Sequence, residues 1–292
     1  MPPEAGPPVT INFHPDRLVA DGSETLVERL VRDGVWRSQF ETGTSNGGLT
    51  AGPGGDRRRW ETRLFAGRYD DGPARERPRY GALNRLGRAA GGSPRFGSAH
   101  LRLRPHVLER TSFCYPDSVF EPENIAAQGD AAGLAHLLAL AEADDAAGTH
   151  DLLDDYVEAH VHGPVVLADD VAAVVLDPCY RGAAVEAAAR ELSARHGLAV
   201  EWHDGFRLHV DDLAARPGYR GARIVAVARE VAAGHAPDGW LDGRVVGDAV
   251  RTGLHDPQDL KKVWHHVARW GAAPDQAAGS SPGAGRPAPP AR

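Results

Sequence analysis

The segment with the clearest capacity for chemistry is YVEAHVHG, residues 156–163. If this segment is a β-strand, Glu158, His160 and His162 point to one face and the residues between them point to the other, because successive side chains alternate along a strand. Carboxylates and imidazoles transfer protons, stabilise charge and bind metal ions. We therefore expect the Glu158 face to carry chemistry or to meet solvent, and the opposite face to join the core.

A metal centre is one interpretation of this face. Glu158, His160 and His162 supply oxygen and nitrogen ligands, and His14 or His100 could complete a set that suits zinc or non-haem iron. Two histidines separated by one residue are a known metal-site spacing, but the chain has 14 histidines, so the spacing also arises by chance. A non-catalytic interaction module is a further interpretation, in which the carboxylate has no chemical role. We keep the metal centre and the interaction module as alternatives and assign no metal ligands.

The elements that must position this segment are indicated by hydrophobic periodicity. VTINF, residues 9–13, predicts a first strand that runs into HPDR. Ser23 is the predicted N-cap of a helix that ends before Gly34, and the glycine-rich stretch from Thr42 to Asp56 predicts a loop. The patterns further predict helices over RRRWETRLF and GLAHLLALAEADDA, and an extended or turning segment over RPRYGALN. They predict strands over PRFGSAHLRLRP and, after the Glu158 segment, over DDVAAVVLD.

Beyond Asp177 the pattern becomes mainly helical, with expected elements at 182–196 (helix), LAVEWH (strand), 223–233 (helix) and 257–270 (helix).

The same patterns define the predicted domain organisation. The Pro-, Gly- and Ala-rich ends predict disorder at 1–9 and 271–292. Between them we expect a domain at 10–180 and a mainly helical annex at 181–270.

Composition bounds the class of protein. The chain has 292 residues and a formal net charge of −7, so its overall charge does not draw it to nucleic acid or anionic lipid. Cys114 and Cys179 lie far apart without a C-x-x-C motif, which argues against a disulfide framework and for a reducing compartment. The sequence begins without a signal-peptide pattern and has no run of about 18 apolar residues. We expect a soluble, cytoplasmic protein with no membrane partner.

The order of these pieces resembles the ADP-ribosyltransferase superfamily, whose members bind NAD in a crevice between two sheets. There, a first strand ending in His or Arg precedes a helix and turn, a middle strand carrying Ser or Tyr, and a late strand carrying a glutamate. The matching pieces here are INFHPDR, LVERLVRDGVWRSQFE, RPRYGALN with PRFGSAHLRL, and YVEAHVHGPVVLADDVAAVVL. More narrowly, the region from Thr10 to about Tyr180 is similar to a bacterial family of uncharacterised proteins marked by FHPDR, QFETGTSNGGL, RPRYGALN, FGSAHLRL and EAHVHGPV.

The superfamily resemblance implies a site that breaks the nicotinamide–ribose bond of NAD. Because that reaction passes through a state resembling an oxocarbenium ion, it needs a carboxylate near the ribose and donors that hold the phosphates. The resemblance assigns the carboxylate to Glu158, which would bond a ribose hydroxyl. His14 or Arg17 would orient the adenosine ribose and the pyrophosphate, and a guanidinium suits the latter because its fork matches phosphate oxygens.

Four further positions complete the implied NAD site. Tyr80 would stack on the nicotinamide, since an aromatic ring attracts a cationic ring, and Ser98 would support Glu158 by a hydrogen bond. Thr44 and Ser45 belong to the TGTSNGG loop, whose glycines let the backbone approach a ligand closely. Each position also has a plainer explanation as a surface, turn or core residue, so the order of the pieces carries the resemblance.

One position departs from the superfamily. Members that modify arginine place a Glu or Gln two residues before the catalytic glutamate, whereas this chain has Tyr156 there. Arginine is therefore a doubtful acceptor, and a nucleobase, a nucleic-acid phosphate, another side chain, a small molecule or water could serve instead.

The sequence thus predicts an α+β fold like that of ADP-ribosyltransferases, with two small antiparallel sheets around a cleft and a helical C-terminal annex. The predicted function is ADP-ribosyl transfer from NAD to an unknown acceptor, or NAD glycohydrolysis, with Glu158 as the catalytic carboxylate.

Overall fold

The computed structural model describes residues 6–43, 55–148, 151, 153–154 and 156–271. Most of the predicted loop between Thr42 and Asp56 and most of the two predicted disordered ends lie outside these residues, although Val9 already belongs to the first strand. None of the described helices is long and apolar enough to cross a membrane.

The described strands are short and lie mainly in the first two thirds of the chain. They are β1 (Val9–Phe13), β2 (Val35–Trp36), β3 (Arg79–Leu83), β4 (Ala99–Leu103), β5 (Thr111–Cys114), β6 (Ile125–Ala126), β7 (Glu158–Val161), β8 (Val165–Val166), β9 (Val171–Leu176), β10 (Ala199–Trp202), β11 (Leu208–His209) and β12 (Trp240–Leu241).

The described α-helices become frequent after β9, as the sequence predicted. They are α1 (Leu26–Asp33), α2 (Gln39–Thr42), α3 (Asp56–Leu64), α4 (Ala131–Ala147), α5 (Leu167–Asp170), α6 (Ala184–His196), α7 (Val210–Ala214), α8 (Arg223–His235), α9 (Gly243–Thr252) and α10 (Pro257–Trp270).

Helix α1 begins two residues later than predicted. Its N-cap is Thr25, which forms a capping box with Glu28, and the C-cap is Gly34 in the left-handed conformation with φ of 64°. Ser23 instead donates a hydrogen bond to Asp21 at 2.6 Å. The assignment of the cap to Ser23 was therefore wrong, because only Thr25 has a glutamate three residues later to complete the box.

Most strands join one large mixed sheet rather than two small antiparallel ones. Its strand order is β10-β9-β4-β1-β3-β7-β5-β6, and β11–β12 and β2–β8 form separate two-stranded sheets. Strands β9 and β10 run parallel, and the other neighbours in the large sheet run antiparallel. The prediction of two small sheets is corrected on this point, because β1 hydrogen-bonds along both edges and joins the two halves.

The two edges of β1 are not paired equally. Strand β1 pairs with β4 from Thr10 to Phe13 but pairs with β3 only at Val9 and Thr10. Gly81 permits the close approach at this short pairing, since a Cβ on it would lie 2.5 Å from the carbonyl oxygen of Thr10. Beyond Thr10 the hydrogen-bonded pairing of β1 with β3 ends, and the sheet is split there.

Two clusters of buried apolar side chains stabilise the protein. The first lies between the large sheet and helices α1, α4 and α6, and the second lies among α7, α8, α9 and α10. Helix α6 packs against α1 and β10 pairs with β9, so residues 184–202 belong with the sheet. The two cores therefore divide after β10, later than the boundary predicted at residue 180.

The annex helices are fixed to the sheet by specific contacts. Trp264 of α10 is fully buried, and its indole N–H donates to the carbonyl of Pro94 at 2.8 Å. Helix α9 packs near the 3₁₀ turn at Pro178–Tyr180. Helix α9 was not predicted, because Gly243 and Gly247 weaken its helical signal.

Candidate active site

Glu158 begins strand β7, where the predicted alternation holds. Val157, Ala159 and Val161 are fully buried in the sheet core, while Glu158 and His160 lie on the opposite face. This second face is also buried, since Glu158 is 5% exposed and His160 is 0% exposed. Of the two expected roles for this face, chemistry or contact with solvent, the second is therefore excluded, and the carboxylate lies in a polar environment inside the protein.

Three neighbouring side chains contact the Glu158 carboxylate. Ser118 Oγ donates to its Oε1 at 2.5 Å, and His160 Nε2 lies 2.7 Å from the same oxygen. The Tyr156 hydroxyl lies 3.3 Å from Oε2. These contacts hold the carboxylate in one orientation.

A second carboxyl group, Asp117, adjoins Glu158. The Tyr156 hydroxyl donates to Asp117 Oδ2 at 2.8 Å and so bridges the two acids. Burial, together with the negative charge of Glu158, raises the pKa of Asp117 to about 7. The pair can therefore hold a proton near neutral pH, which is the behaviour expected of two close carboxyl groups in a poorly solvated site.

His160 of β7 and His162, just after the strand, are neutral hydrogen-bonding groups. Burial lowers the pKa values of His160 and His162 to about 3. Ser112 lies 3.3 Å from His160 Nδ1 and 2.8 Å from His162 Nε2, and the Tyr69 hydroxyl bonds His162 Nδ1. Both nitrogens of His162 are thus occupied by protein groups.

The structure changes the composition of the metal-centre alternative. Among the described residues, ligand atoms of Cys114, Glu158 and His160 all lie within 4.8 Å of one another, and His162 is not part of this group. Hydrogen bonding explains the proximity, since His160 Nε2 contacts the carboxylate at 2.7 Å and Cys114 Sγ at 3.9 Å. Burial also raises the pKa of the Cys114 thiol.

A cavity of about 190 Å³ opens beside Glu158 at the split between β1 and β3. Asn12 of β1, Tyr80 of β3 and Glu158 of β7 line it, and Arg17 reaches it from the loop after β1. The cavity therefore brings together three of the predicted site residues, Glu158, Arg17 and Tyr80. Other lining side chains include aromatic and cationic groups, namely Trp36, Arg57, Trp60, Arg95 and Phe96.

The ring of Tyr80 is held between neighbouring groups. Its hydroxyl donates to Glu61 Oε1 at 2.7 Å, and Glu61 also forms a buried ion pair with Arg77 at 2.6 Å. The guanidinium of Arg57 lies 4.8 Å from the centre of the Tyr80 ring and 5.0 Å from that of Trp60. The aromatic wall beside Glu158 thus already holds a cation, the Arg57 guanidinium, and stacking of Tyr80 on nicotinamide stays a prediction.

The cations of this cavity differ in their pairing. Arg79 has a structural role, since its guanidinium donates hydrogen bonds to Glu41 and to three backbone carbonyls. Arg95 pairs with Asp154 at 2.7 Å and lies 3.6 Å from Asp117. Arg17 is an exposed residue at the cavity wall, where partial desolvation lowers its pKa, although a guanidinium stays charged at neutral pH.

Other predicted site residues lie elsewhere. His14 lines a neighbouring cavity, where its ring meets Trp264 edge to face at 4.9 Å. Ser98 does not bond Glu158, because its hydroxyl lies 3.1 Å from that of Tyr180 on another part of the sheet. Its predicted supporting role is fulfilled by Ser118. Thr44 and Ser45 lie outside the described residues.

Sequence reasoning missed Asp117, Ser118, Trp60 and Arg95. The first two were detectable in part, because YPDS follows the strand TSFC directly and Pro-Asp-Ser is a turn signal that presents polar side chains. No local pattern brings that turn to Glu158, since the pairing of β5 with β7 does so.

Comparisons with known proteins bear on the family of the chain. No curated protein matches it. A protein family of unknown function matches residues 8–143 and 133–270, which confirms the expectation of an uncharacterised family. The resemblance to ADP-ribosyltransferases stays a prediction. Because the matched residues span most of the described structure, including both cores and the Glu158 cavity, the chain belongs to the family described as "Protein of unknown function (DUF3626)".

Proposed function

We propose that the protein transfers ADP-ribose from NAD to an acceptor, or to water, with Glu158 as the catalytic carboxylate. The observation that carries the proposal is that Glu158, Tyr80 and Arg17, which are distant in sequence, line one cavity at the split between β1 and β3. The carboxylate, an aromatic ring and a guanidinium are the groups that a reaction at the nicotinamide–ribose bond needs.

The strand order supports the same assignment. Strands β1, β3 and β7 are consecutive neighbours in the sheet, and they correspond to the first, middle and glutamate strands of the superfamily resemblance. The early end of the β1–β3 pairing leaves a crevice between two halves of the sheet. A crevice between two sheets is where the superfamily binds NAD.

In the proposed reaction, the bond between ribose C1′ and the nicotinamide nitrogen breaks, and its electron pair leaves with nicotinamide. Glu158 bonds a ribose hydroxyl and stabilises the positive charge that develops on the ribose. An oxygen or nitrogen of the acceptor then bonds to C1′, and its proton passes to the Glu158–Asp117 pair and on to solvent. Arg17 holds the pyrophosphate of NAD.

Tyr156 supports an acceptor other than arginine. The position that holds a second Glu or Gln in arginine-modifying relatives here carries a phenol whose hydroxyl bonds both Asp117 and Glu158. The hydroxyl is thus engaged in orienting the carboxyl pair, and its ring meets Phe96 edge to face at 5.9 Å.

The test is release of labelled nicotinamide from NAD by the full chain and by Glu158→Gln, with a bacterial lysate as the acceptor source. We expect the substitution to lower the rate at least about 100-fold, because the amide cannot supply the negative charge. Glu191→Gln is the matched control, since Glu191 lies on α6 with a half-exposed side chain paired to Arg195. It should keep the wild-type rate.

Three outcomes would overturn the proposal. Equal rates for wild type and Glu158→Gln would remove Glu158 from the chemistry, provided that thermal unfolding curves show both proteins to be folded. Stoichiometric zinc or iron in purified protein, lost together with activity on Cys114→Ser substitution, would favour the metal centre. A wild-type protein that neither binds nor cleaves NAD would favour an interaction module.

A further inference from the structure

Two carboxyl groups, Asp117 and Glu158, line the same cavity but have different surroundings. Glu158 begins β7, whereas Asp117 lies in the turn after β5, and the pairing of β5 with β7 places them together. Only 5% of each residue is exposed. Two carboxyl groups in such a site do not both ionise readily, so their surroundings decide which of them holds a proton.

The hydrogen-bond donors around the pair favour the ionised form of Glu158. The Ser118 hydroxyl has one proton, and its oxygen lies 2.5 Å from Glu158 Oε1 but 3.4 Å from Asp117 Oδ1, so Glu158 receives it. His160 Nε2 lies 2.7 Å from the same Glu158 oxygen and can also donate to it. Glu158 is therefore equipped to supply negative charge beside a ribose cation.

Asp117 is held by other donors. The backbone N–H of Val119 donates to its Oδ1 at 3.0 Å, and the Tyr156 hydroxyl donates to its Oδ2 at 2.8 Å. Arg95 lies 3.6 Å from Oδ2 but forms its shorter contact with Asp154, at 2.7 Å. Because a carboxylate offers about four positions to donors, these contacts leave Asp117 able to accept from a group in the cavity.

Several elements bring charged and titratable groups to Asp117. Burial keeps three of these groups uncharged near neutral pH, namely Cys114 of β5, His160 of β7 and Tyr156. The charged ones are Glu158, Arg95 of the 3₁₀ turn Pro94–Phe96 and Lys261 of α10. Burial and the charge of Glu158 outweigh the two cations and raise the pKa of Asp117 to about 7. A base with this pKa accepts and releases protons efficiently at neutral pH.

We propose that Asp117 is a second catalytic residue of this cavity, the base that takes the proton of a hydroxyl acceptor as the acceptor oxygen bonds to C1′ of the ribose. The inference rests on the proposed function and deepens it, because it names the acceptor chemistry and divides the work between the two carboxyl groups. Glu158 stabilises the ribose cation, and Asp117 activates the acceptor.

The step balances without a further reagent. The bond between C1′ and the nicotinamide nitrogen breaks, and its electron pair leaves with nicotinamide. A lone pair of the acceptor oxygen then forms the new bond to C1′, and the acceptor proton passes to the ionised Asp117 carboxylate, which later releases it to solvent. The acceptor is therefore a neutral hydroxyl group of an alcohol or of water. A phosphate diester does not suit this site, because it has no proton to give up and its charge would meet two carboxyl groups.

The test compares NAD cleavage by the full chain and by Asp117→Ala, with and without sodium azide. We expect the variant to hydrolyse NAD at least about 100-fold more slowly than wild type. Azide is an anion that bonds to C1′ without losing a proton, so it should raise nicotinamide release by Asp117→Ala at least about tenfold and yield ADP-ribosyl azide. Loss of a structural contact alone would not be restored in this way.

Two further variants make the azide effect specific. Glu158→Gln should stay slow in azide, because it lacks the charge that stabilises the ribose cation. Asp211→Ala is the matched control, since Asp211 lies on α7 with 78% of its side chain exposed. It should match wild type with and without azide. Equal acceleration of Asp117→Ala and Glu158→Gln by azide would contradict the assignment of the base.

The pH dependence of wild type tests the same inference if Asp117→Ala fails to fold. Hydrolysis should rise about tenfold per pH unit below pH 7 and level off above it, because only ionised Asp117 accepts the proton. Asp117→Asn should lose this rise. The pKa of Lys261 is lowered to about 8, so a rise caused by that residue would lie one unit higher and would survive in Asp117→Asn. A wild-type rate that does not change between pH 5 and pH 8 would overturn the inference.

Methanol separates the two sources of the hydroxyl group. Methyl ADP-riboside formed by wild type reports an alcohol acceptor, ADP-ribose alone reports water, and both products should decrease in Asp117→Ala. If wild type cleaves NAD but Asp117→Ala cleaves it as fast, or gains nothing from azide, the base assignment fails and the proposed function stands. If folded wild type does not cleave NAD, the proposed function fails and the base assignment falls with it.

Discussion

Strands β4 and β7 carry similar alternations of polar and apolar residues, but their polar side chains have different surroundings. Ser98 and His100 at β4 are buried among protein groups, and the Ser98 carbonyl accepts from His203 Nε2 at 2.7 Å. Glu158 of β7 is equally buried but lines a cavity. Buried polar residues are thus covered by other protein groups at β4, whereas at β7 they border a space that a ligand could enter.

The cause is what packs over each strand. A Cβ added to Gly243 of α9 would lie 2.7 Å from Ser98 and 3.3 Å from the Tyr180 hydroxyl, so the annex fills the space beside β4. Over β7, the aromatic and arginine side chains of α3 leave the cavity open. A polar strand face becomes a candidate site only where packing leaves room for a ligand.

The largest expected effect separates the two strands by activity. Glu158→Gln should lower NAD cleavage at least about 100-fold, whereas Ser98→Ala should leave the rate within about twofold, because its hydroxyl contacts Tyr180 and not the carboxylate. Initial rates of nicotinamide release measure both. A loss of activity in Ser98→Ala without a loss of thermal stability would show that the two faces are coupled.

The second effect concerns packing over β4. Gly243→Ala should destabilise the protein by about 1–3 kcal/mol, because the added methyl group has no room beside Ser98. Gly253→Ala, where a Cβ meets no atom within 4 Å but the glycine has φ of 66°, tests backbone strain without crowding. Denaturant unfolding gives both values. A Gly243→Ala protein as stable as wild type would mean that the annex can move away from β4.

The third effect is a pH dependence of stability near β7. The folded protein holds the Asp117 proton up to a pKa of about 7, whereas the unfolded chain releases it at its ordinary value near 3.8. This contribution to stability is therefore fully present below about pH 4 and is lost as the pH rises through 7. Asp117→Asn should flatten the dependence by up to about 1.4 kcal/mol per pH unit in that window.

His100 at β4 should act in the opposite direction. Burial lowers its pKa from 6.5 to about 3, so its contribution to stability is present above pH 6.5 and is lost as the pH falls towards 3. Unfolding measured from pH 4 to pH 8 for wild type, Asp117→Asn and His100→Asn separates the two contributions. An unchanged slope in Asp117→Asn would mean that the acid ionises normally.

The smallest effect is expected at the exposed end of β4. Arg102 and Glu201 form an ion pair at 2.6 Å with more than a third of each side chain exposed. Arg102→Ala should therefore cost less than about 1 kcal/mol of unfolding free energy and leave NAD cleavage unchanged. A larger loss of stability would indicate that β10 depends on this pair for its place at the sheet edge.

Local patterns predicted much of the fold. The strands VTINF, EAHV and VAAVVL and the helices at 184–196 and 257–270 lie where periodicity placed them, because each buries one face against a core. The N-cap at Thr25 was open to prediction from Glu28 but was assigned to Ser23. The residues of the site could be proposed in part, since Glu158 and Arg17 came from a resemblance to a family.

The rest depended on packing between distant segments. Asp117 and Ser118 contact Glu158 because β5 pairs with β7, and no local sequence pattern specifies that pairing. The same limit explains Ser98, whose type and strand position fit a supporting role but whose side chain is covered by α9. Lys261 lies in a segment correctly predicted as a helix, yet its place beside Arg17 follows only from how the annex docks.

The central position of β1 also has a consequence for the order of assembly. Thr10 of this strand bonds Ala82, 72 residues further along the chain. The other edge of β1 pairs with β4, which lies later still in the sequence. During synthesis β1 must therefore stay unpaired until β3 and β4, which follow it in the chain, have left the ribosome. We expect pulse-labelled hydrogen exchange during refolding to show late protection of the β1 amides, and chaperones that shield extended apolar segments to bind nascent chains that end before β3.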